Sequence, residues 1–223
     1  MKLARLRGHY IWTPPLTNRS VVVDAGAHRG EFSAEVIEKF GCQCHLIEAN
    51  PNLAEKLSVP GAASITIAAL GAADGRATFH VRDNPESGSL TSSSADRATA
   101  VDVETISLPK FMERIGVDAI DLLKLDIEGA EFDLVALTPE NVWRRISQIT
   151  VEFHDFQERF AGQRLFENAR ARLESLGFVC CLMSFRTHGD VLFLNRRLSL
   201  TVPQRIYARH LARLVEKARV LSA

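Results

Sequence analysis

Two glycines and one acidic residue have the types and spacing that bind a nucleoside. The segment VVVDAGAHRG at 21–30 places Gly26 and Gly30 directly after an apolar run, and Glu48 follows 18 residues after Gly30. In α/β nucleotide-binding units, an acidic residue about 20 residues beyond the glycines accepts hydrogen bonds from the ribose hydroxyls. The pattern therefore predicts a nucleoside pocket between the loop after one strand and the end of the next strand.

The residues around the glycines distinguish between two nucleoside ligands. Dinucleotide-binding proteins need a middle glycine that lets the backbone approach a pyrophosphate, but Ala27, His28 and Arg29 stand there. Asp24 would also repel a pyrophosphate, whereas the ammonium and sulfonium groups of S-adenosylmethionine are stabilised by a nearby carboxylate. The segment favours S-adenosylmethionine as the cofactor, and an NAD-dependent oxidoreductase is the disfavoured alternative.

Further polar side chains are expected at the same edge of the sheet. Ligands of open α/β sheets bind beyond the carboxyl ends of the strands, so we expect one crevice to collect Asp24, Glu48, Ala69, Asp126, Glu128, Glu152 and His154. Glu152 and His154 alternate at a strand end and share a face, so Glu152 is a catalytic candidate that can orient the imidazole or hold the acceptor. His154 is the expected general base and Asp126 the alternative base, while a structural histidine is the other interpretation of His154.

A divalent cation is a further alternative at this crevice. Asp126, Glu128, Glu152 and His154 all carry ligand atoms, but their spacing matches no specific metal motif. The sequence therefore predicts no metal and an activity that a chelator does not affect.

Five segments in order resemble one protein family. They are VVVDAGAHRGEFS, LIEANP, AALGAADGRATFHV, SL and DLLKLDIEGAEFDLV, of which KLDIEGAE at 124–131 is the most specific. Together they resemble the FkbM family of S-adenosylmethionine-dependent methyltransferases. The resemblance implies that Asp126 and Glu128 lie near the methionine moiety or the acceptor. It also implies that the acceptor is a hydroxyl on a sugar, a glycan or a specialised metabolite.

The predicted donor site combines the nucleoside pattern with this resemblance. Its residues are Asp24, Gly26, Ala27, His28, Gly30, Glu48, Ala49, Asn50, Ala69, Asp126 and Glu128. The alternative function is a non-catalytic binding or scaffold module with the same fold, which the intact acidic residues argue against.

Strand and helix patterns alternate along the chain, which is typical of a parallel sheet with helices on both faces. The expected fold is a class I methyltransferase (Rossmann-like) three-layer α/β sandwich, mostly parallel, with one antiparallel strand near the C-terminal end. The predicted organisation is an N-terminal segment at 1–19, a methyltransferase domain at 20–197 and a C-terminal helix at 198–223, packed on or extending the domain. A Ser-rich stretch at 83–97 is expected to be a mobile loop over the ligands.

Three helices of this pattern have predicted limits that the structure can test. One runs from Glu128 to Leu137, a second from about 156 to 176, and the third from 203 to 221. The third is expected to dock through an apolar face that includes Tyr207, Leu211 and Leu214.

Bulk composition restricts the partners and the compartment. The 223 residues include 27 basic and 27 acidic ones, so no net charge attracts nucleic acid. No run approaches about 18 apolar residues, the length of a membrane span. The four cysteines have no metal-ligand spacing and are expected as free thiols in the cytoplasm. The expected partner is a small-molecule hydroxyl acceptor, and a second copy of the chain is a further candidate.

Overall fold

The computed structural model describes residues 3–82, 88–89, 98–155, 164–184 and 187–215. The strands are β1 (Leu3–Leu6), β2 (His9–Trp12), β3 (Val21–Ala25), β4 (Gln43–Glu48), β5 (Ser64–Ile67), β6 (Ala69–Gly71), β7 (Gly75–Arg82), β8 (Gly88–Ser89), β9 (Ala98–Ser107), β10 (Leu122–Leu125), β11 (Gln148–Val151), β12 (Phe178–Leu182) and β13 (Val191–Asn195). The helices are α1 (Glu31–Phe40), α2 (Pro51–Ala54), α3 (Leu108–Arg114), α4 (Glu131–Leu137), α5 (Glu140–Trp143), α6 (Leu165–Ser175) and α7 (Val202–Ile206).

Seven strands form the central sheet in the order β12-β13-β11-β10-β3-β4-β5. The neighbours from β11 to β5 are parallel, and β13 is antiparallel to both β11 and β12. β13 therefore pairs with the strand that precedes it in the chain. A smaller sheet has the order β6-β9-β7-β8. The α/β class with a mostly parallel central sheet is confirmed.

Apolar side chains on both faces of the sheet explain the unbroken apolar runs of its strands. Val22, Leu46 and Leu122 pack against α1 and the β1–β2 hairpin. Val23 and Leu123, one position further along, pack on the opposite face against α3, α4, α5 and α6. Because successive strand residues point to opposite faces, a sheet covered on both sides needs apolar residues at consecutive positions.

The N-terminal segment packs on the sheet through the β1–β2 hairpin. Strands β1 and β2 are antiparallel, and the hairpin shares a buried cluster with the sheet. The backbone N–H of Trp12 donates to Oε1 of Gln148 at 2.8 Å, and Nε2 of Gln148 donates to the Trp12 carbonyl at 3.0 Å. This buried reciprocal pair fixes the hairpin against the start of β11, so the segment predicted to precede the domain contacts its core.

Two predicted helices begin later than expected within the described residues. The helix expected from Glu128 begins at Glu131, and Glu128 itself has a φ of 55°. A non-glycine residue at such an angle ends the strand in a tight turn instead of a helix. The described part of the next long helix begins at Leu165, and 156–163 lie outside the described residues. Most of the predicted 83–97 loop also lies outside them.

The C-terminal helix buries a different face from the predicted one. A π-helical turn at Tyr207–Leu211 follows α7, and Ala208 and Ala212 are buried, whereas Leu211 and Leu214 are about half exposed. The wider π turn shifts the helical register, so the predicted docking through Leu211 and Leu214 is wrong. Residues after 215 lie outside the description. No helix in the described ranges combines the length and apolar character needed to cross a membrane.

Three glycines have similar positive φ angles but differ in the space around them. Substitutions at these positions therefore distinguish backbone strain from steric overlap. Their φ values are 76° at Gly26, 73° at Gly30 and 70° at Gly116. A Cβ atom at Gly26 would lie 1.8 Å from the backbone oxygen of Asp126, and one at Gly30 would lie 2.2 Å from Cγ2 of Val59. At Gly116 it would meet no heavy atom within 4 Å.

We expect Gly26→Ala and Gly30→Ala to lower the free energy of unfolding by about 2 kcal/mol more than Gly116→Ala. All three variants carry the strain of a positive φ, but only the first two force atoms into occupied space. Chemical denaturation measures the difference. Equal losses of unfolding free energy in the three variants would show that steric overlap at Gly26 and Gly30 does not affect stability.

Asp190 makes the stability of this fold depend on pH. Burial raises the pKa of this carboxyl group to about 7, against the opposing effects of Arg5 and the Tyr10 N–H. A folded-state pKa above the unfolded value of about 3.9 means that its stabilising contribution is full below about pH 4 and is lost as the pH rises through about 7.

Asp190→Asn is therefore expected to be more stable than the wild type at pH 8, by about 1–3 kcal/mol, and to show a smaller gain at pH 5. Urea denaturation at the two pH values checks this, with exposed Asp118→Asn as the matched control. A gain of the same size at both pH values would contradict the assignment.

Candidate active site

A cavity of about 430 Å³ lies at the carboxyl ends of β3, β4 and β10. Nine of the eleven predicted donor-site residues line it: Gly26, Ala27, His28, Glu48, Ala49, Asn50, Ala69, Asp126 and Glu128. The other two, Asp24 and Gly30, are not part of the lining. The predicted edge of the sheet therefore holds a cavity of suitable size, and most of the residues chosen from the sequence face it.

Glu48 is held in place at the end of β4 by two backbone groups. The N–H of His28 donates to Oε2 at 2.7 Å, and the N–H of Asn50 donates to Oε1 at 2.8 Å. Burial raises the pKa of Glu48, while the two N–H donors oppose the rise. Each carboxylate oxygen has a second lone pair, so the side chain can accept two further hydrogen bonds from a ligand.

Asp24 lies beneath the cavity and binds Lys124, which the donor-site prediction did not include. The Ser33 hydroxyl donates to Oδ2 of Asp24 at 2.7 Å, and Nζ of Lys124 lies 3.1 Å from Oδ1. Lys124 also donates to the Gly26 carbonyl at 2.7 Å. Burial alone would lower the pKa of Lys124, but Asp24 and Asp126 outweigh it and raise the value. The ammonium group thus links the glycine loop to the end of β10.

The turn after β10 is organised by Glu131, the first residue of α4. Its Oε1 accepts the backbone N–H groups of Ile127 at 2.9 Å and Gly129 at 3.2 Å. The side chain is fully buried. An acidic residue in the first helical turn also stabilises the helix dipole. Glu128, three residues earlier, faces the cavity.

His154 is surrounded by three carboxylates. Its Nδ1 lies 3.0 Å from Oε1 of Glu131, and its Nε2 lies 3.5 Å from Oε2 of Glu128 and 3.8 Å from Oδ1 of Asp126. Burial would lower the pKa of the imidazole, but these acids outweigh it and raise the pKa to about 9. At neutral pH the imidazole is therefore mostly in its positively charged form. Only the small neutral fraction can accept a proton.

The other two predicted catalytic groups have opposite pKa shifts. Burial would raise the pKa of Asp126, but Lys124, His9 and His154 hold it well below its usual range. Burial and the nearby Asp126 charge raise the pKa of Glu152. Asp126 is therefore a firmly ionised carboxylate and a weak base, whereas Glu152 holds its proton more tightly. His154 and Glu152 adjoin the cavity without being part of its lining.

Sequence reasoning missed several residues of this region, including three that line the cavity and one behind it. Arg7 and His9, from the β1–β2 hairpin, line the cavity with Lys124, and Glu131 supports His154. Lys124 has a local signal, because it alternates with Asp126 at a strand end and shares its face. Arg7 and His9 have none, because only the tertiary packing of the hairpin brings them to the site.

The lining has the chemical character that a nucleoside with a cationic amino-acid end requires. Glu48 offers acceptors for a ribose, and Leu53, Leu70 and Phe79 offer apolar surface for a base. Nε2 of His28 is buried without a hydrogen-bond partner within the described chain. A bound polar ligand would satisfy such an atom. The residues present therefore fit S-adenosylmethionine.

Comparisons with known proteins bear on the family. No curated protein matches the chain. Among solved structures, a TehB-like methyltransferase from Corynebacterium glutamicum is 12% identical, with 79% of this chain and 80% of that chain covered and a TM-score of 0.39. Fibrillarin from Aeropyrum pernix, with natively bound S-adenosyl-L-methionine, is 11% identical, with 86% and 80% covered and a TM-score of 0.41.

The family itself is established by sequence. The profile of the methyltransferase FkbM domain matches residues 24–180, which is more than half of the chain. The match includes the glycine loop, Glu48, the turn after β10 and His154, and it leaves out the β1–β2 hairpin. The resemblance found in the sequence motifs is confirmed, and the chain belongs to the family of methyltransferase FkbM domains.

Proposed function

We propose that the protein transfers a methyl group from S-adenosylmethionine to a hydroxyl oxygen of a small molecule. The observation that carries the proposal is Glu48, whose carboxylate is fixed on the cavity wall by two backbone N–H groups. Membership of a methyltransferase family supports it. The acceptor class, a sugar, a glycan or a specialised metabolite, follows from the family resemblance.

In this proposal the donor lies along the cavity from Glu48 to Asp126. Glu48 accepts hydrogen bonds from the two ribose hydroxyls, and the apolar surface of Leu53 and Phe79 contacts the adenine. The methionine end is directed to Asp126 and Glu128, whose negative charge stabilises the sulfonium. Asp24 acts through Lys124 and does not contact the donor, which changes the role predicted for it.

The reaction exchanges one bond for another. The acceptor oxygen forms a bond to the methyl carbon while the carbon–sulfur bond breaks, and the electron pair stays on sulfur to give S-adenosylhomocysteine. The hydroxyl proton must go to a base. Much of the acceleration comes from holding oxygen, carbon and sulfur in line, and a positioned base contributes about 10²–10⁴-fold more.

We propose His154 as that base. Its Nε2 faces Asp126 and Glu128 at the methionine end of the cavity, and Glu131 fixes the ring through Nδ1. A raised pKa makes the neutral imidazole a stronger proton acceptor, although fewer molecules hold it in that form at neutral pH. Asp126, with its lowered pKa, is the weaker alternative.

The cytoplasm is the compartment that we propose. All four cysteines are buried free thiols, and burial raises the pKa of Cys42 to about 11 and that of Cys180 to about 12. Thiols in this state resist oxidation because the reactive form is the thiolate. The balanced charge of the chain supports a small-molecule acceptor over nucleic acid.

Glu48→Ala is expected to weaken S-adenosylmethionine binding by about 1–3 kcal/mol, the cost of losing hydrogen bonds to a charged group. Isothermal titration calorimetry measures it, with the exposed Glu38→Ala as the matched control. Glu48→Gln keeps one acceptor oxygen and loses the other for both the backbone and the ligand, so an intermediate loss of affinity is expected. An unchanged affinity of Glu48→Ala for S-adenosylmethionine would contradict the proposal that Glu48 binds the ribose hydroxyls.

His154→Ala is expected to lower kcat by about 100-fold or more with little change in donor affinity, because a general base acts only in the chemical step. The acceptor is first identified by mass spectrometry of cell extract incubated with a labelled methyl donor. His45→Ala, which removes a histidine bonded to Ser64 away from the cavity, is the control. Near-normal turnover in His154→Ala would show that another group takes the proton.

A further inference from the structure

His9 is a buried histidine that neither the family match nor the proposed donor site explains. It lies in β2, outside residues 24–180, and its ring packs edge-on against Phe32 with centroids 5.6 Å apart. Only 4% of the residue is exposed. Its Nε2 is 3.9 Å from Oδ2 of Asp126, which is longer than a hydrogen bond.

The Asp126 carboxylate is the polar group that the imidazole of His9 faces, with Nε2 and Oδ2 separated by 3.9 Å. This distance is too long for a strong hydrogen bond, but it matches the separation of two atoms that ligate one ion. The gap between the ring and Asp126 is where such an ion would lie.

Glu152 completes a set of three ligand atoms around this gap. One atom each from His9, Asp126 and Glu152 lies within 4.8 Å of the other two. Ligands of one divalent ion, each about 2.0–2.3 Å from it, are separated by about 3–4.6 Å. The three groups come from β2 and from the ends of β10 and β11, so the fold and not a local motif brings them together.

The surrounding charges favour a cation in the gap. Five carboxylates lie around the site and beneath it, on Asp24, Asp126, Glu128, Glu131 and Glu152, against the cations of Lys124 and His154. Arg7 also lines the cavity, but it forms ion pairs with Glu31 and Glu35. Nζ of Lys124 is 3.6 Å from Asp126, but it is closer to Asp24, at 3.1 Å, and to the Gly26 carbonyl, at 2.7 Å. Among the described residues, no cationic group forms an ion pair with Glu152.

We propose that His9, Asp126 and Glu152 bind one divalent cation. One imidazole and two carboxylates suit a cation that accepts both nitrogen and oxygen ligands, such as Mn²⁺. The proposal replaces the expectation from sequence spacing that no metal is bound, because that expectation could not include His9.

The role of the cation rests on the proposed function. The hydroxyl of the acceptor takes an open coordination position, where the cation orients it beside the donor and makes its proton easier to remove. His154 lies next to the other carboxylate oxygen of Asp126, at 3.8 Å from Oδ1, and it receives that proton. Asp126 therefore separates the cation from the base.

Titration of the full-length protein with Mn²⁺, followed by the electron paramagnetic resonance signal of free Mn²⁺, tests the site without any substrate. We expect one Mn²⁺ per chain in the wild type. His9→Gln and Glu152→Gln are expected to weaken this binding at least tenfold. His210→Ala, which removes an exposed histidine from the C-terminal helix, is the matched control and is expected to bind as the wild type does.

Two results would overturn the proposal: no saturable binding up to millimolar Mn²⁺, or wild-type binding in both His9→Gln and Glu152→Gln. Circular dichroism and thermal melts verify that each variant is folded, and Glu152→Gln keeps the test valid if the His9 variant unfolds. Donor binding is measured separately by calorimetry with a chelator present. If the protein binds the donor but not Mn²⁺, the cation proposal is wrong and the proposed methyl transfer still stands. If it does not bind the donor, the proposed function itself is wrong.

Discussion

The buried ion pair between Asp24 and Lys124 is the interaction on which the site depends. Both residues are almost fully buried, and their charged atoms are 3.1 Å apart. Lys124 also holds the Gly26 carbonyl and lies near Asp126, so one ammonium group connects the glycine loop after β3 to the acidic end of β10. Removing one member of a buried pair leaves an uncompensated charge, at a cost of about 3–5 kcal/mol. This ion pair beneath the cavity therefore positions two of its walls, the glycine loop and the end of β10.

The second constraint is the turn between β10 and α4. Glu131 accepts two backbone N–H groups of the turn and also contacts His154, so one carboxylate fixes both the loop and the imidazole. Glu128 takes a left-handed conformation with φ of 55°, which is strained for a residue with a side chain. The strain directs its carboxylate to the cavity and away from the helix.

Sequence predicted the parts of the fold that local pattern controls. The apolar run before Gly26 predicted β3, and the glycine spacing predicted where the loop after β3 and Glu48 lie, because each depends on neighbours in the chain. His9 and the Asp24–Lys124 pair escaped prediction since they depend on contacts across the fold. The docked face of the C-terminal helix was wrong for a related reason: a π turn changes the register without a sequence signal.

In the proposed function, charge balance also determines how the site distinguishes donor from product. The sulfonium of the donor is positive, and the sulfur of the product is neutral, so carboxylates at the methionine end bind the donor more tightly. An unscreened carboxylate beside the sulfonium would stabilise the ground state and slow transfer, because only interactions stronger in the transition state accelerate it. Lys124 neutralises Asp24 and lies 3.6 Å from Asp126, which reduces the negative field at the sulfur. The buried lysine thus limits ground-state stabilisation while Asp126 stays ionised and in place.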